Sequence, residues 1–190
     1  MRKLLSVLIA ILILLYPLAI YFGLTFSSPS KLGVLLAGLF VLRLWVSPNP
    51  RLKELKGPMT FVALAGAPLA LYSSISNTPH GFLFYPVVVN AILLLAFAQT
   101  LIRPPSMIER FARTMDPDFP DRAIPYTRKV TWIWCCFFIC NGSIALYTAL
   151  FSSLKTWSLY NGLISYLIMG AIFAIEFAVR LHLKKRSQSQ

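Results

Sequence analysis

Asp116, Asp118 and Asp121 place three carboxylates within six residues of an otherwise acid-poor chain. Carboxylate oxygens so spaced can gather a magnesium ion, and enzymes that transfer phosphoryl or prenyl groups at a membrane face use aspartates in this way. Pro117 and Pro120 keep these three off a common helical face, and no second acidic cluster accompanies them. A solvated turn is the plainer reading, and no metal or other cofactor is expected. Just upstream stand Glu109, Arg110 and Arg113. A pair of guanidinium groups can grip a phosphate or carboxylate head group through charge-assisted hydrogen bonds. The simpler alternative is non-specific attraction to anionic lipid.

Asn90 and Asn141 are the next candidates, because each interrupts a long apolar run. Asn90 lies about 12 residues before the end of its run at Ile102, and Asn141 about 11 after the start of its own at Val130. At about 1.5 Å per residue both fall roughly 17 Å from the charged loop between the runs. Two antiparallel helices would bring them to one depth, where they would hydrogen-bond directly or through a polar ligand. Such pairs average only about 0.6 kcal/mol in membrane proteins, so helix glue explains them amply. A ligand-binding face made of Asn90, Asn141, Glu109, Arg110 and Arg113 is the functional expectation.

Asn161, Ser165 and Glu176 fall within about 60° of arc on a later helix at 100° per residue. Glu176 is the one acid inside an apolar run, which makes it a functional candidate. It precedes Arg180 by one turn and sits at about the depth of Arg43. An ion pair among Arg43, Glu176 and Arg180 is favoured over proton coupling. Cys135, Cys136 and Cys140 share one apolar run with no second half of a zinc site, and read as small buried hydrophobes. His80 and His182 lie far apart, and neither a nucleophile with its base nor a glycine-rich phosphate loop is present. No catalytic residue is assigned, and enzymatic activity stays open.

These side chains need something to hold them. Hydrophobic residues make up 57% of the chain and charged ones 13%, with mean hydropathy +0.70. A soluble domain is about 45–50% apolar and about 25% charged, so lipid must solvate much of this surface. The pattern predicts an all-α polytopic membrane protein of one domain, residues 1–183, with six spanning helices at about 4–26, 32–46, 59–75, 82–102, 130–151 and 157–180. Residues 103–129 form a loop, and 184–190 a short polar tail. Ser106 with Glu109 fits a capping box. Ile108, Phe111, Ala112 and Met115 then recur at helical spacing opposite Glu109, Arg110 and Arg113. That predicts a short amphipathic helix in the membrane interface between the fourth and fifth spans. Small residues recur in the third run (Ala63, Gly66, Ala67, Ala70) and the sixth (Gly170, Ala174, Ala178), as helix-packing faces would have them.

Charge sets the orientation. With six spans, 16 of the 18 basic residues fall on one side, and only Lys31 and Lys155 on the other. The positive-inside rule puts the 16, and both termini, in the cytoplasm. Trp45, Trp132, Trp134 and Trp157 lie near run ends, where an aromatic belt would stand. The net charge of +12 is spread in short patches between apolar runs. It sets topology and does not mark a nucleic-acid face.

Several short matches form a pattern: Phe84-Tyr85-Pro86 with Asn90; Pro104-Pro105 with Ile108-Glu109-Arg110 and Ala112-Arg113; Tyr126-Thr127-Arg128 with Val130-Thr131; Asn141-Gly142; and Trp157 with Leu159-Tyr160-Asn161-Gly162. Together they resemble an uncharacterised family of small bacterial inner-membrane proteins often encoded beside fatty-acid-synthase-like and aryl-polyene pigment genes. The resemblance covers about residues 82–180. It implies a bacterial cytoplasmic membrane and an accessory role in making, handling or exporting an acyl-chain product. It implies as partners membrane lipids and acyl-chain biosynthetic or export proteins, and carries over no catalytic residue. Two other classes stand beside it: a small transporter or flippase component using Asn90, Asn141 and Glu176, and a membrane enzyme acting on an activated lipid. The oligomeric state is not legible.

Overall fold

The computed structural model describes residues 16–45, 56–116 and 119–188, with side chains described except at 43–45, 56 and 181–188. Asp118 and the side chain of Arg43 therefore lie outside the described residues, as do residues 4–15 of the first predicted span. The described chain is helical throughout. Its elements are α1 (Tyr16–Phe26), α2 (Pro29–Trp45), α3 (Lys56–Ser76), α4 (His80–Ile102), α5 (Met107–Met115), a 3-10 turn (Asp121–Ala123), α6 (Ile124–Phe151), α7 (Leu154–Leu159), a π turn (Tyr160–Ile164) and α8 (Ser165–Gln188).

Four of these stretches are long and apolar enough to cross a membrane: Gly57–Ser76, His80–Ile102, Asp121–Phe151 and Leu154–Arg180. Tyr16–Phe26 and Pro29–Leu42 are apolar but shorter. Large apolar side chains such as Leu95, Ile139, Phe173 and Phe177 face outward, each more than half exposed. Water would not tolerate so much outward apolar surface; the protein is membrane-embedded.

Close approach between helices follows from small residues. Phe40 of α2 lies over Gly66 of α3, where a Cβ would stand 2.6 Å from the ring. One turn from the helix ends, Ser30 Oγ donates to the Ser74 carbonyl and Ser74 Oγ to that of Ser30, each at 2.8 Å. Asn77 closes the α3–α4 turn with φ 50°, a left-handed conformation that asparagine accepts more readily than most residues. Its Oδ1 accepts from the Ser30 backbone amide at 3.3 Å. Gly81 then lets α4 start directly against the Leu69 carbonyl, with no room for a Cβ.

Two buried clusters result. One joins Tyr16, Ile20, Phe40, Val62, Phe82, Tyr85 and Trp157; the other joins Phe97, Leu101, Met107, Val130, Trp134, Cys135 and Phe138. The candidate site lies between them.

Several expectations are corrected. The fifth predicted span begins at Ile124 rather than 130, because Pro125 suits a first helical turn and Thr127 packs inward. The sixth starts at Leu154, where Ser153 Oγ accepts from the Thr156 amide, and helix continues through most of the predicted tail. Trp134 and Trp157 are core residues rather than belt residues, and only Trp132 of the described indoles faces outward. In α8, Gly170 meets no other atom within 4 Å of a built Cβ, and Ala174 and Ala178 are exposed. That stripe packs against nothing in the described chain, whereas the α3 residues Ala63 and Ala70 are fully buried.

Candidate functional site

Antiparallel α4 and α6 form the central seam, and Gly142 makes it tight: a Cβ there would lie 3.1 Å from the Asn90 Cβ. Across this gap Asn141 Nδ2 donates to Asn90 Oδ1 at 3.1 Å. Asn90 Nδ2 donates to the Pro86 carbonyl at 2.8 Å, and Tyr160 Oη, in the π turn, donates to Asn141 Oδ1 at 3.0 Å. The Pro86 carbonyl can only accept, so it fixes which way the Asn90 amide points, and each later link inherits that direction. These bonds leave the second N–H of each amide without a partner among the described residues.

Pro86 explains why so many polar groups gather here. Without an N–H it leaves the Phe82 carbonyl, four residues earlier, with no helical donor. Tyr16 Oη supplies one at 3.2 Å. The next carbonyl, that of Leu83, takes Trp157 Nε1 at 3.0 Å. A buried orphan carbonyl costs about 1–3 kcal/mol, so the Tyr16 bond ties α1 to the start of α4, and the Trp157 bond adds α7 to the same turn. Ser158 Oγ adds a bond to the Pro17 carbonyl at 3.1 Å.

A cavity of about 330 Å³ opens between the two clusters, at the lower end of the about 300–1,000 Å³ range of ligand sites. Its wall is largely apolar, with Tyr16 and Tyr85 rings 4.4 Å apart and Phe40 5.1 Å from Tyr85. Asn90, Asn141, Asn161 and Ser165 contribute polar groups. Asn161 is 4% exposed. Its Nδ2 donates to the Trp157 carbonyl at 2.9 Å and to Thr148 Oγ1 at 3.2 Å. Its Oδ1 accepts no hydrogen bond from the described residues. The π turn that carries it is the kind of helix defect found often at functional sites.

The loop residues lie elsewhere. Helix α5 buries Met107, Glu109 and Ala112, while Met115 is exposed. The predicted division of faces is therefore corrected: Glu109 points inward, and Arg113 reaches its carboxylate from the rim at 3.0 Å. Arg113 also contacts Asp121 at 3.4 Å and stacks over Phe119. The hydrogen bond to Glu109, reinforced by Asp121, raises the Arg113 pKa above its ordinary value. Arg110 turns the other way, donating to the Pro105 carbonyl at 2.8 Å. It borders a smaller concavity of about 240 Å³ with Arg103 and Gln99. The two arginines thus do not converge on one ligand.

The capping box is also corrected. Ser106 occupies the N-cap position but its side chain makes no capping bond. The first amides of α5 are satisfied by threonines from other helices: Met107 N–H donates to Thr100 Oγ1 at 2.9 Å and Ile108 N–H to Thr131 Oγ1 at 3.3 Å. Tertiary packing supplies what the local pattern promised.

Asp116 and Asp121 share no metal-ligating cluster, since no group of three or more His, Cys, Asp or Glu forms among the described residues. Glu176 Oε1 pairs with Arg180 at 2.9 Å and receives Tyr126 Oη at 3.4 Å. None of the three lines the cavity. One site residue escaped the sequence reading: Tyr160, which completes the Asn141 amide; Asn161 and Ser165, placed on one arc from the sequence, do share the cavity, and Glu176 does not. The signal for Tyr160 was its polarity within the last apolar run. No protein-family model, curated protein or solved structure matches this chain.

Proposed function

We propose that this chain is a six-span protein of the bacterial cytoplasmic membrane that holds an acyl-chain molecule, lipid-like or aryl-polyene-like, in the Asn90/Asn141/Asn161 cavity. Its role is that of a non-catalytic accessory to the synthesis, handling or export of that molecule. Both termini face the cytoplasm in this reading, with α5 at the cytoplasmic interface. Membrane lipids and acyl-chain biosynthetic or export proteins are its partners. The observation that carries the proposal is the apolar cavity with a few inward polar groups. Such a lining suits a ligand with a long hydrocarbon body and a small polar feature.

The transporter alternative draws less support, because Glu176 is engaged by Arg180 and Tyr126 away from the cavity. An enzyme would need a nucleophile, base or metal set beside the ligand, and the cavity lining offers amides, hydroxyls and hydrocarbon. Deleting the gene and profiling membrane lipids and pigments tests the proposal. Loss or accumulation of one acyl-chain species, restored by the wild-type chain but not by a cavity-filled Ala63→Phe chain, is the expected result. An unchanged profile would contradict it.

A further inference from the structure

One residue of the cavity lining, Asn161, carries an unmet acceptor. Asn161 Oδ1 is a buried acceptor that receives no hydrogen bond from the described residues. Asn161 cannot relieve this by turning its amide over. Its Nδ2 is committed to the acceptor-only Trp157 carbonyl, and the flipped amide would set oxygen against oxygen. The acceptor therefore needs a donor from outside the described side chains.

Charge narrows the donor. No Asp, Glu, Lys, Arg or His lines the cavity among the described residues. An ammonium or carboxylate placed here would be desolvated with no counter-ion. A neutral hydroxyl would meet no such penalty. It donates one hydrogen bond and also accepts, and Asn90 and Asn141 each keep one N–H that no described residue takes up. The aromatic and aliphatic wall accommodates the body of an amphiphile.

Resting on the acyl-binding reading above, we infer that the cavity selects a neutral hydroxyl-bearing amphiphile, an alcohol or phenol with a hydrocarbon chain, whose hydroxyl donates to Asn161 Oδ1. Phosphate- and carboxylate-terminated lipids are excluded as ligands of this cavity in their ionised forms.

The test is equilibrium binding of three radiolabelled probes of equal chain length to the full chain in nanodiscs at pH 8, corrected with empty nanodiscs. The probes are 1-dodecanol, its methyl ether and dodecanoate. Saturable binding of the alcohol about tenfold tighter than the ether is expected, the scale of one hydrogen bond. Dodecanoate should bind no better than the ether. Asn161→Leu should erase the difference between alcohol and ether, and the wild-type comparison of the two stands whether or not that variant folds. Ether or dodecanoate binding as tightly as the alcohol would overturn the selectivity while leaving acyl binding intact. Saturable binding of none of the three would overturn both.

Discussion

Asn141 donates its side-chain amide to Asn90 across the α4–α6 seam at 3.1 Å, and Gly142, its neighbour, is what lets the two helices come that close. Helix pairing and cavity chemistry meet at this contact, because the same two amides line the cavity.

Single replacement should therefore cost more than the pair is worth. Asn141→Leu strands Asn90 Oδ1 and Tyr160 Oη together, so a loss of about 1–3 kcal/mol is expected. The Asn90→Leu/Asn141→Leu double variant should lose less than the sum, with a coupling of about 0.6 kcal/mol or somewhat more. Unfolding free energies in lipid nanodiscs across the double-mutant cycle measure this. Strictly additive losses would mean that the amides do not interact.

A second prediction concerns Pro86. Tyr16→Phe removes the donor to the Phe82 carbonyl and should cost about 1–3 kcal/mol. In a Pro86→Ala background the restored residue-86 N–H can serve that carbonyl within the helix, so the same change should cost much less. The four unfolding free energies decide. An equal cost in both backgrounds would show that the proline does not create the demand.

For α5, the inward carboxylate of Glu109 is matched by Arg113 at 3.0 Å. Arg113→Ala should leave that carboxylate facing the interior without a cation, and hydrogen exchange of the α5 amides should speed up. Adding Glu109→Gln removes the charge and should restore part of the protection. Unchanged exchange in Arg113→Ala would argue that the pair does not hold α5 in place.

Much of this architecture was legible in the apolar runs, because a spanning helix needs a length of hydrocarbon that few other elements need. The matched depth of Asn90 and Asn141 was legible too, by counting rise from the loop the two helices share. Tyr160 was not, since only the packing of its π turn beside α6 brings its hydroxyl to Asn141; Asn161 and Ser165 share the cavity as their common arc predicts, without Glu176. Glu109 was assigned outward by its charge, while burial of Met107 and Ala112 carries it inward. Trp157 looked like an interface anchor, yet its indole is fully buried and donates to the Leu83 carbonyl of α4.

Orientation is open to direct test. Reporter fusions at Glu109 should report the cytoplasm, and fusions at Thr78 and Ser153 the opposite side, because 16 of 18 basic residues fall with Glu109. Fusions giving the reverse would overturn the threading on which the proposed function rests.

The most direct test fills the cavity. Ala63 is fully buried and lines it, so Ala63→Phe should occupy the space, whereas Gly170→Leu on the open face of α8 should leave it intact. Native mass spectrometry of the chain released from bacterial membranes reads bound acyl-chain species directly. Such a species on the wild-type and Gly170→Leu chains, absent from folded Ala63→Phe, is the predicted result. The same species on all three, or on none, would contradict the account.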